Sequence, residues 1–183
     1  MIKSLDRKKA SGPDLIHNRL LIAAEEIISD PLSKFFTTYI NEGVFPNPWK
    51  LANVTPLLKK NPSNLCTNYR PISLLSCVGK LFERCTHKQV YKFLTDHNII
   101  TQSQSGFTQG DSTINQLVTI YDNLCKAYDN KTTNQSVFFD ISKAFDKVWH
   151  NGLLKKLYSI GIRGNLYNWF KDYLSNRKQC VVL

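Results

Sequence analysis

Asp140 is a carboxylate that comes directly after a short apolar run, Val137 to Phe139. Aliphatic and aromatic residues in a run of this length predict a buried strand, here residues 136–141. A charge at the end of a buried strand is costly unless a cation meets it. Mg²⁺ is one such cation, because it is usually held by one or two carboxylates together with substrate phosphates. The spacing alone leaves the alternative open that Asp140 is a solvated or capping residue at the end of a strand.

The chain is basic, and its positive charge is concentrated. Its 24 Lys and Arg against 14 Asp and Glu give a net charge of +10. Residues 50–92 hold eight Lys or Arg and a single acid, Glu83, which leaves +7 in under a quarter of the chain. A concentrated basic segment favours a polyanionic partner such as nucleic acid or a triphosphate. A solvated basic face is the alternative.

The cysteines and the hydropathy pattern indicate the compartment. No Cys or Cys/His set has the spacing of a zinc site, and the number of cysteines is odd. They predict reduced, mostly buried thiols in an intracellular protein. No apolar run approaches the length of a membrane span or of a signal peptide core. We therefore expect a soluble, intracellular protein without a membrane partner, and nucleus and cytoplasm are not separated. The five cysteines are Cys66, Cys77, Cys85, Cys125 and Cys180.

Apolar residues at three- and four-residue spacing predict that helices dominate the first two-thirds of the chain. Asp30-Pro31 predicts a helix start, with Asp30 as the N-cap and Gly43 as the end. Pro71 biases Arg70 away from the helical region, so the segment around them is predicted to be extended. The fold class expected is α+β, or mixed α/β, with an incomplete sheet. The predicted helices are 15–28, 31–42, about 75–94, about 113–128 and two short ones broken at Gly161 and Gly164, and the predicted strands are 51–58, 136–141 and 178–183.

A collinear series of motifs surrounds Asp140. Together these motifs resemble the reverse transcriptase (RNA-directed DNA polymerase) domain of jockey-like non-LTR retrotransposons, and the resemblance covers nearly all 183 residues. It implies the fingers and the first part of the palm of a right-hand polymerase. The motifs are Lys9-Ala-Ser-Gly-Pro-Asp14, Trp49 to Lys60, Asn68-Tyr-Arg-Pro-Ile-Ser-Leu74, Gly79-Lys-Leu-Phe-Glu83, Gln104-Ser-Gly-Phe107 with Ser112-Thr113, Phe139-Asp-Ile-Ser-Lys-Ala-Phe-Asp146, Gly161-Ile, Trp169-Phe and Tyr173-Leu-Ser-Asn-Arg177.

The resemblance implies roles for residues of the palm motif. Asp140 would be a catalytic metal ligand beside the backbone carbonyl of Ile141, and the complete enzyme would use two Mg²⁺ ions. Phe145 would lie under the incoming sugar, where its ring would clash with a ribose 2′-hydroxyl; a core Phe is the alternative. Asp146 lies past the strand and is expected to be structural.

The resemblance also implies phosphate-binding residues in the fingers. Arg70 would reach the triphosphate, because a guanidinium binds phosphate through paired donors and stays charged. Lys59 and Lys60 precede it on a basic turn and would assist. Gly106 and Ser112 would allow a nucleic-acid backbone to approach, although an ordinary turn is the alternative. Thr108 stands where the family usually has an Arg, which removes one expected backbone contact.

The implied regions are a helical lead-in (1–48), a fingers-like region (49–134) and a partial palm (135–183). The family's Gly- and Gln-rich second motif and its Asp-Asp pair do not occur in the sequence. One carboxylate cannot hold two divalent cations, so we expect these residues alone not to polymerise DNA. The apolar ending at Val181 to Leu183 suggests that the polymerase continues beyond it. A nucleic-acid-binding module without chemistry and a degenerate relic are the alternatives.

The implied partners are an RNA template, a DNA primer and dNTPs. The implied reaction is two-metal nucleotidyl transfer that copies RNA into DNA. The sequence gives no indication of the oligomeric state.

Overall fold

The computed structural model describes residues 1–182. Within them, helices are combined with one small sheet, which confirms the predicted mixed fold class. The helices are α1 Asn18–Ala23, α2 Glu25–Glu42, α3 Cys77–Asp96, α4 Thr113–Asp129, α5 His150–Ser159 and α6 Gly164–Tyr173, and the strands are β1 Leu51–Leu58, β2 Tyr69–Leu74 and β3 Lys178–Val181.

The chain divides into two compact units. The first unit contains residues 1–90 and the residues from 149 onward, and the second contains residues 91–148. The first unit holds the sheet and the aromatic core, and the second holds α4 and the segment around Asp140.

The three strands pair in the order β2–β1–β3. β1 and β2 form an antiparallel hairpin in which Leu57 lies opposite Arg70. β3 pairs with β1 in parallel, with Leu51 opposite Lys178. The predicted strand at 51–58 is confirmed. The strand predicted at 178–183 is confirmed over Lys178–Val181 as β3, Val182 follows it outside the strand, and Leu183 lies outside the described residues.

The predicted start of the second helix at Asp30 is wrong. α2 begins at Glu25 and continues through Pro31, and the break lies at Ala24. A proline inside a helix removes one hydrogen bond and costs about 3 kcal/mol. Ile28 and Leu32, on either side of Pro31, both pack against the core, and this packing holds the helix together through the proline. The predicted end at Gly43 is confirmed, with Gly43 in the left-handed conformation (φ 69°).

The predicted strand at residues 136–141 is not formed. These residues adopt no regular secondary structure, and Phe138 and Phe139 are exposed rather than buried. A strand needs a neighbour for its backbone hydrogen bonds. β2 and β3 each pair with β1, and no part of residues 1–182 pairs with residues 136–141.

The core of the first unit is aromatic. Phe82 of α3 stacks on Phe36 (4.6 Å between centroids) and meets the edge of Trp169 (5.4 Å). Phe45, fully buried between them, lies 5.9 Å from Phe82 and 5.6 Å from Trp169. Aromatic pairs at these distances each add about 0.5–1.5 kcal/mol beyond the area they bury. Trp49, which precedes β1, also contacts this cluster.

The burial of the cysteines and the length of the helices can also be compared with the sequence analysis. The prediction of mostly buried cysteines is wrong: all five are unpaired, but only Cys77 is buried, because the sequence pattern does not show which face of an element is covered. In the described part of the chain, none of the helices combines the length and the apolar character needed to cross a membrane.

Gly12 packs directly against the turn before α3. A Cβ atom at this position would lie 2.3 Å from the carbonyl carbon of Leu75 and from the backbone nitrogen of Ser76. The thiol of Cys77 contacts the carbonyl oxygen of Ala10 (3.8 Å), so the N-terminal segment lies along the start of α3. Only a residue without a side chain allows this approach.

We expect Gly12→Ala to lower the free energy of unfolding by about 1–3 kcal/mol, because the added methyl group forces the backbone apart. Denaturant-induced unfolding measures this loss. Gly106→Ala is the matched control, since a Cβ there meets nothing within 4 Å, and we expect a change within about 0.5 kcal/mol. Equal stability of the two variants would show that the close approach does not limit the fold.

Candidate nucleotide and nucleic-acid sites

The β1–β2 hairpin places three predicted phosphate-binding residues at one end. Arg70 lies opposite Leu57, and the Lys59 N–H donates to the carbonyl of Asn68 (2.7 Å), which extends the ladder by one residue. Side chains alternate along a strand, so Lys59 and Arg70 share a face as diagonal neighbours about 7–8 Å apart. Lys60 follows in the exposed loop.

No acid competes for these cations along the hairpin. The sequence contains no Asp or Glu between Lys50 and Phe82. Among residues 1–182, Lys59, Lys60 and Arg70 form no ion pair, and all three are exposed. The hairpin end is therefore an uncompensated positive patch.

The loop that joins β1 and β2 is held by Asn68. This buried residue donates through Nδ2 to the carbonyl of Pro62 (2.6 Å), and its backbone N–H donates to the carbonyl of Leu65 (2.9 Å). The Tyr69 hydroxyl donates to the carbonyl of Ser63 (2.8 Å). These bonds fix the base of the loop, so the positions of Lys59 and Arg70 are set before any ligand binds.

In the second unit, Ser112 is the N-cap of α4, and its hydroxyl accepts from the Asn115 N–H (3.3 Å). Asp111 accepts from the Ser112 N–H (2.7 Å) and the Asn115 side-chain amide (3.0 Å). Hydrogen bonds from the Ser105 hydroxyl, then Ser112 and Asn115, hold the pKa of Asp111 below its ordinary value. Ser112 thus has a structural role, and Asp111 is a residue that the sequence argument missed. An Asp-Ser pair before an apolar-periodic segment is the capping signal that reveals it.

Gly106 is not required by packing. A Cβ there would meet nothing within 4 Å, so the space beside its backbone is open. The next residue, Phe107, has φ 61° and is 91% exposed. Its ring lies edge-on to the ring of Phe145, with 6.4 Å between centroids.

The structure therefore brings together one predicted residue, Phe145, and one that the sequence argument did not single out, Phe107. Phe145 is 80% exposed, so it is not the core residue that was the alternative. The two rings come from different motifs, and their pairing has no signal in either motif alone.

Asp140 is exposed and forms no hydrogen bond or ion pair with any of residues 1–182. Within the described residues, no three His, Cys, Asp or Glu side chains are grouped so that they could hold a metal ion. Asp146 lies in a short 3₁₀ turn, Phe145–Lys147, and its expected structural role stays a prediction. The described residues alone do not fit a two-metal centre.

The arrangement is thus a cationic hairpin in one unit, and a pair of exposed rings and an isolated carboxylate in the other. The model of one protein family, described as reverse transcriptase (RNA-dependent DNA polymerase), matches residues 57–182. The chain belongs to the reverse transcriptase family. All the predicted site residues lie within the match.

Several curated reverse transcriptases are similar to this chain over most of its length. It is 34% identical, over 98% of its residues, to the probable RNA-directed DNA polymerase from transposon BS of Drosophila melanogaster. It is 33% identical, over 97%, to the RNA-directed DNA polymerase from mobile element jockey of the same fly. A type-1 retrotransposable element R2 polyprotein from Popillia japonica is 25% identical over 78%. The matches confirm the predicted jockey-like, non-LTR resemblance. The chain spans about a fifth of the length of these relatives.

The ionisation of Asp111 provides a pH test of the loop before α4. A carboxyl group whose pKa is lowered by folding stabilises the folded state while the group is ionised. This stabilisation is complete above the ordinary carboxyl pKa and is lost as the pH falls through the lowered pKa. We expect the Ser112 amide resonance to titrate with a midpoint below the ordinary Asp value, measured by ¹⁵N NMR.

Asp111→Asn should abolish this titration. Asp122→Asn, which removes an exposed carboxylate paired with Lys126 on the same helix, is the control and should leave it unchanged. A wild-type midpoint at or above the ordinary Asp value would contradict the hydrogen-bonded arrangement.

Proposed function

We propose that this chain is the nucleotide- and template-binding part of an RNA-directed DNA polymerase of a non-LTR retrotransposon. The observation that carries the proposal is the family match over residues 57–182, which includes the acid-free cationic hairpin and the carboxylate of Asp140. The reaction is the copying of RNA into DNA, with an RNA template, a DNA primer and dNTPs as partners.

In this proposal the hairpin binds the triphosphate. Arg70 donates paired hydrogen bonds to phosphate oxygens, and Lys59 adds a second positive charge from the same face. Lys60 extends the patch into the loop. Because Asn68 fixes the loop base, little ordering entropy is lost when the ligand binds.

The exposed pair Phe107 and Phe145 acts at the sugar. A ring held at this position excludes a 2′-hydroxyl by contact and so favours dNTPs over ribonucleotides. Phe107 meets the Phe145 ring edge-on and limits its movement. The open space beside Gly106 admits a nucleic-acid backbone, and Ser112 holds the adjoining helix end.

Asp140 is the carboxylate proposed for catalysis. Divalent metal ions are general cofactors of the family, and we propose Mg²⁺, with Asp140 and the carbonyl of Ile141 as ligands. The remaining carboxylates would have to come from outside residues 1–182, since no suitable group exists within them. The 183 residues alone are therefore proposed to bind nucleotide and RNA without polymerising DNA.

The proposed regional organisation follows the family: a helical lead-in at 1–48, fingers at 49–134 and the first part of the palm from 135. The exposed apolar residues of 136–141 belong to this last region. An apolar segment with no strand partner in the described residues is what a partly represented palm sheet would contain.

Binding of a fluorescent dNTP to the 183-residue chain tests the triphosphate role. Arg70→Gln removes the paired donors, and we expect at least about a tenfold loss of affinity, since hydrogen bonds to charged groups contribute about 1.5–3 kcal/mol. Arg70→Lys, which keeps the charge but not the planar fork, should give a smaller loss.

Arg163→Gln is the matched control for this measurement. Arg163 is an exposed arginine of the same unit that lies over the Tyr158 ring (4.9 Å), so its replacement removes the same charge elsewhere. Equal losses for Arg70→Gln and Arg163→Gln would show that only net charge matters and would contradict the proposed hairpin site.

Primer extension tests Asp140. In a chimera of the jockey polymerase that carries residues 57–182 of this chain, Asp140→Asn should lower extension at least about a thousandfold, because a charged ligand becomes a neutral amide. Asp146→Asn is the control and should change extension by less than about tenfold. Extension by the isolated 183 residues, or an Asp140→Asn chimera with normal activity, would contradict the proposal.

A further inference from the structure

One side of α3 carries a row of basic residues. Lys80, Arg84 and Lys88 follow one another at four-residue spacing, so they lie along the same side of the helix, about 6 Å apart along its axis. Arg84 and Lys88 are exposed, and Lys80 is half-buried. All three belong to the first unit. We call these three residues the basic row.

The positive charge of the basic row is only partly offset by a neighbouring acid. Within residues 1–182, none of its members forms an ion pair, whereas Lys34, Lys50 and Lys92 each do. The acid within the row's span is Glu83, whose carboxylate interacts with the charge of Lys80 but more strongly with that of Arg177. It accepts a hydrogen bond from the Tyr173 hydroxyl and lies 3.9 Å from the Arg177 guanidinium.

The helix that carries the row is held rigidly by the core. Val78, Leu81 and Phe82 of α3 are buried in the core cluster. Three cations on a fixed helix keep their spacing without a ligand, so the entropy lost on binding is confined to their side chains. A surface of this kind suits a regularly spaced polyanion rather than a single phosphate.

A second group of cations directly precedes a residue that contacts the start of this helix. The carbonyl of Ala10 contacts the thiol of Cys77 at the start of α3. The three residues before Ala10 are Arg7, Lys8 and Lys9, all exposed. They extend the positive potential beyond the first turn of α3.

We propose that the basic row of α3 is a binding surface for the phosphate backbone of single-stranded RNA, separate from the triphosphate patch on the hairpin. This inference rests on the proposed function, from which it takes RNA as the polyanion. The row carries charges along a line, so it holds the backbone without reading bases. It would keep the template on the enzyme while the hairpin exchanges nucleotides.

The test is the binding of a labelled 20-nucleotide RNA of mixed sequence to the 183-residue chain, measured by anisotropy over a salt series. Replacing all three residues of the row by Gln should weaken binding at least about tenfold at 0.1 M salt. Each phosphate contact with a single strand contributes about 0.7 to the slope of log affinity against log salt, so the slope should fall by about 2.

The matched control is Lys34→Gln, Lys155→Gln and Lys171→Gln combined. It removes the same charge from exposed lysines on α2, α5 and α6 of the same unit. We expect a change of less than about threefold. Melting by circular dichroism checks that both triple variants fold as the wild type does.

A charge-preserving variant separates a binding role from a structural one. Lys80→Arg, Arg84→Lys and Lys88→Arg combined should keep wild-type affinity within about twofold. Loss of binding in this variant, or equal losses in the row and control variants, would overturn the proposal. So would an unchanged salt slope in the Gln variant.

Failure of the proposed function gives a different result. If the wild-type chain binds neither dNTP nor RNA, both the proposed function and the proposed RNA-binding role of the basic row are overturned. If it binds RNA but the row variant binds equally well, only the basic row is overturned. A row variant that loses RNA but keeps dNTP affinity supports two separate sites.

Discussion

The carboxylate of Asp172 determines where the sheet of the first unit begins. It accepts a hydrogen bond from the Phe45 N–H (2.7 Å) through one oxygen and from Lys50 Nζ (2.8 Å) through the other. The Lys50 side chain is only 4% exposed, so its charge requires this partner. Removing one partner of a buried ion pair costs about 3–5 kcal/mol, because the other charge remains buried without compensation. One side chain of α6 thus fixes the segment that leads into β1.

The positions of the exposed residues of the β1–β2 hairpin depend on these contacts of Asp172. β1 starts directly after Lys50, and β2 takes its register from β1. Arg70 therefore takes its position from a chain of contacts that begins at α6.

Glu83, Tyr173 and Arg177 form a second polar contact between α3 and α6. Burial of the Tyr173 hydroxyl, and to a smaller extent the negative charge of Glu83, raises the pKa of Tyr173 to about 12. The β1–β2 hairpin is positioned by polar groups at the margin of an aromatic core.

Local sequence patterns predicted most of the elements that carry the site. The periodicity of α3 and α4 is visible in the sequence because it depends on one face of a local element. The break at Ala24 was missed because packing on both sides of Pro31 outweighs the local signal. The prediction of a strand ending near Asp140 is wrong, because a strand depends on partner strands that can lie anywhere in a chain.

The sequence allowed single residues of the candidate site to be predicted, but not the contacts between them. Arg70 and Asp140 follow from motifs that can be read in the sequence. The edge-on contact of Phe107 with Phe145 joins two motifs, and the absence of an acid near the hairpin matters only once Lys59 and Arg70 share a face. That Asp140 has no other metal-ligating groups around it among the described residues likewise depends on the fold and cannot be read from its motif.

The long reach of the Asp172 contacts has a consequence for synthesis of the protein. The Phe45–Asp172 hydrogen bond spans 127 residues, and the whole second unit lies between its ends. Contacts so distant in sequence slow folding, because the intervening loop must close first. On the ribosome, Phe45 and Phe82 emerge well before Trp169 exists to cover them, and translation proceeds at about 5–20 residues per second. The nascent chain therefore spends several seconds with these apolar rings uncovered, a period in which chaperone binding competes with aggregation.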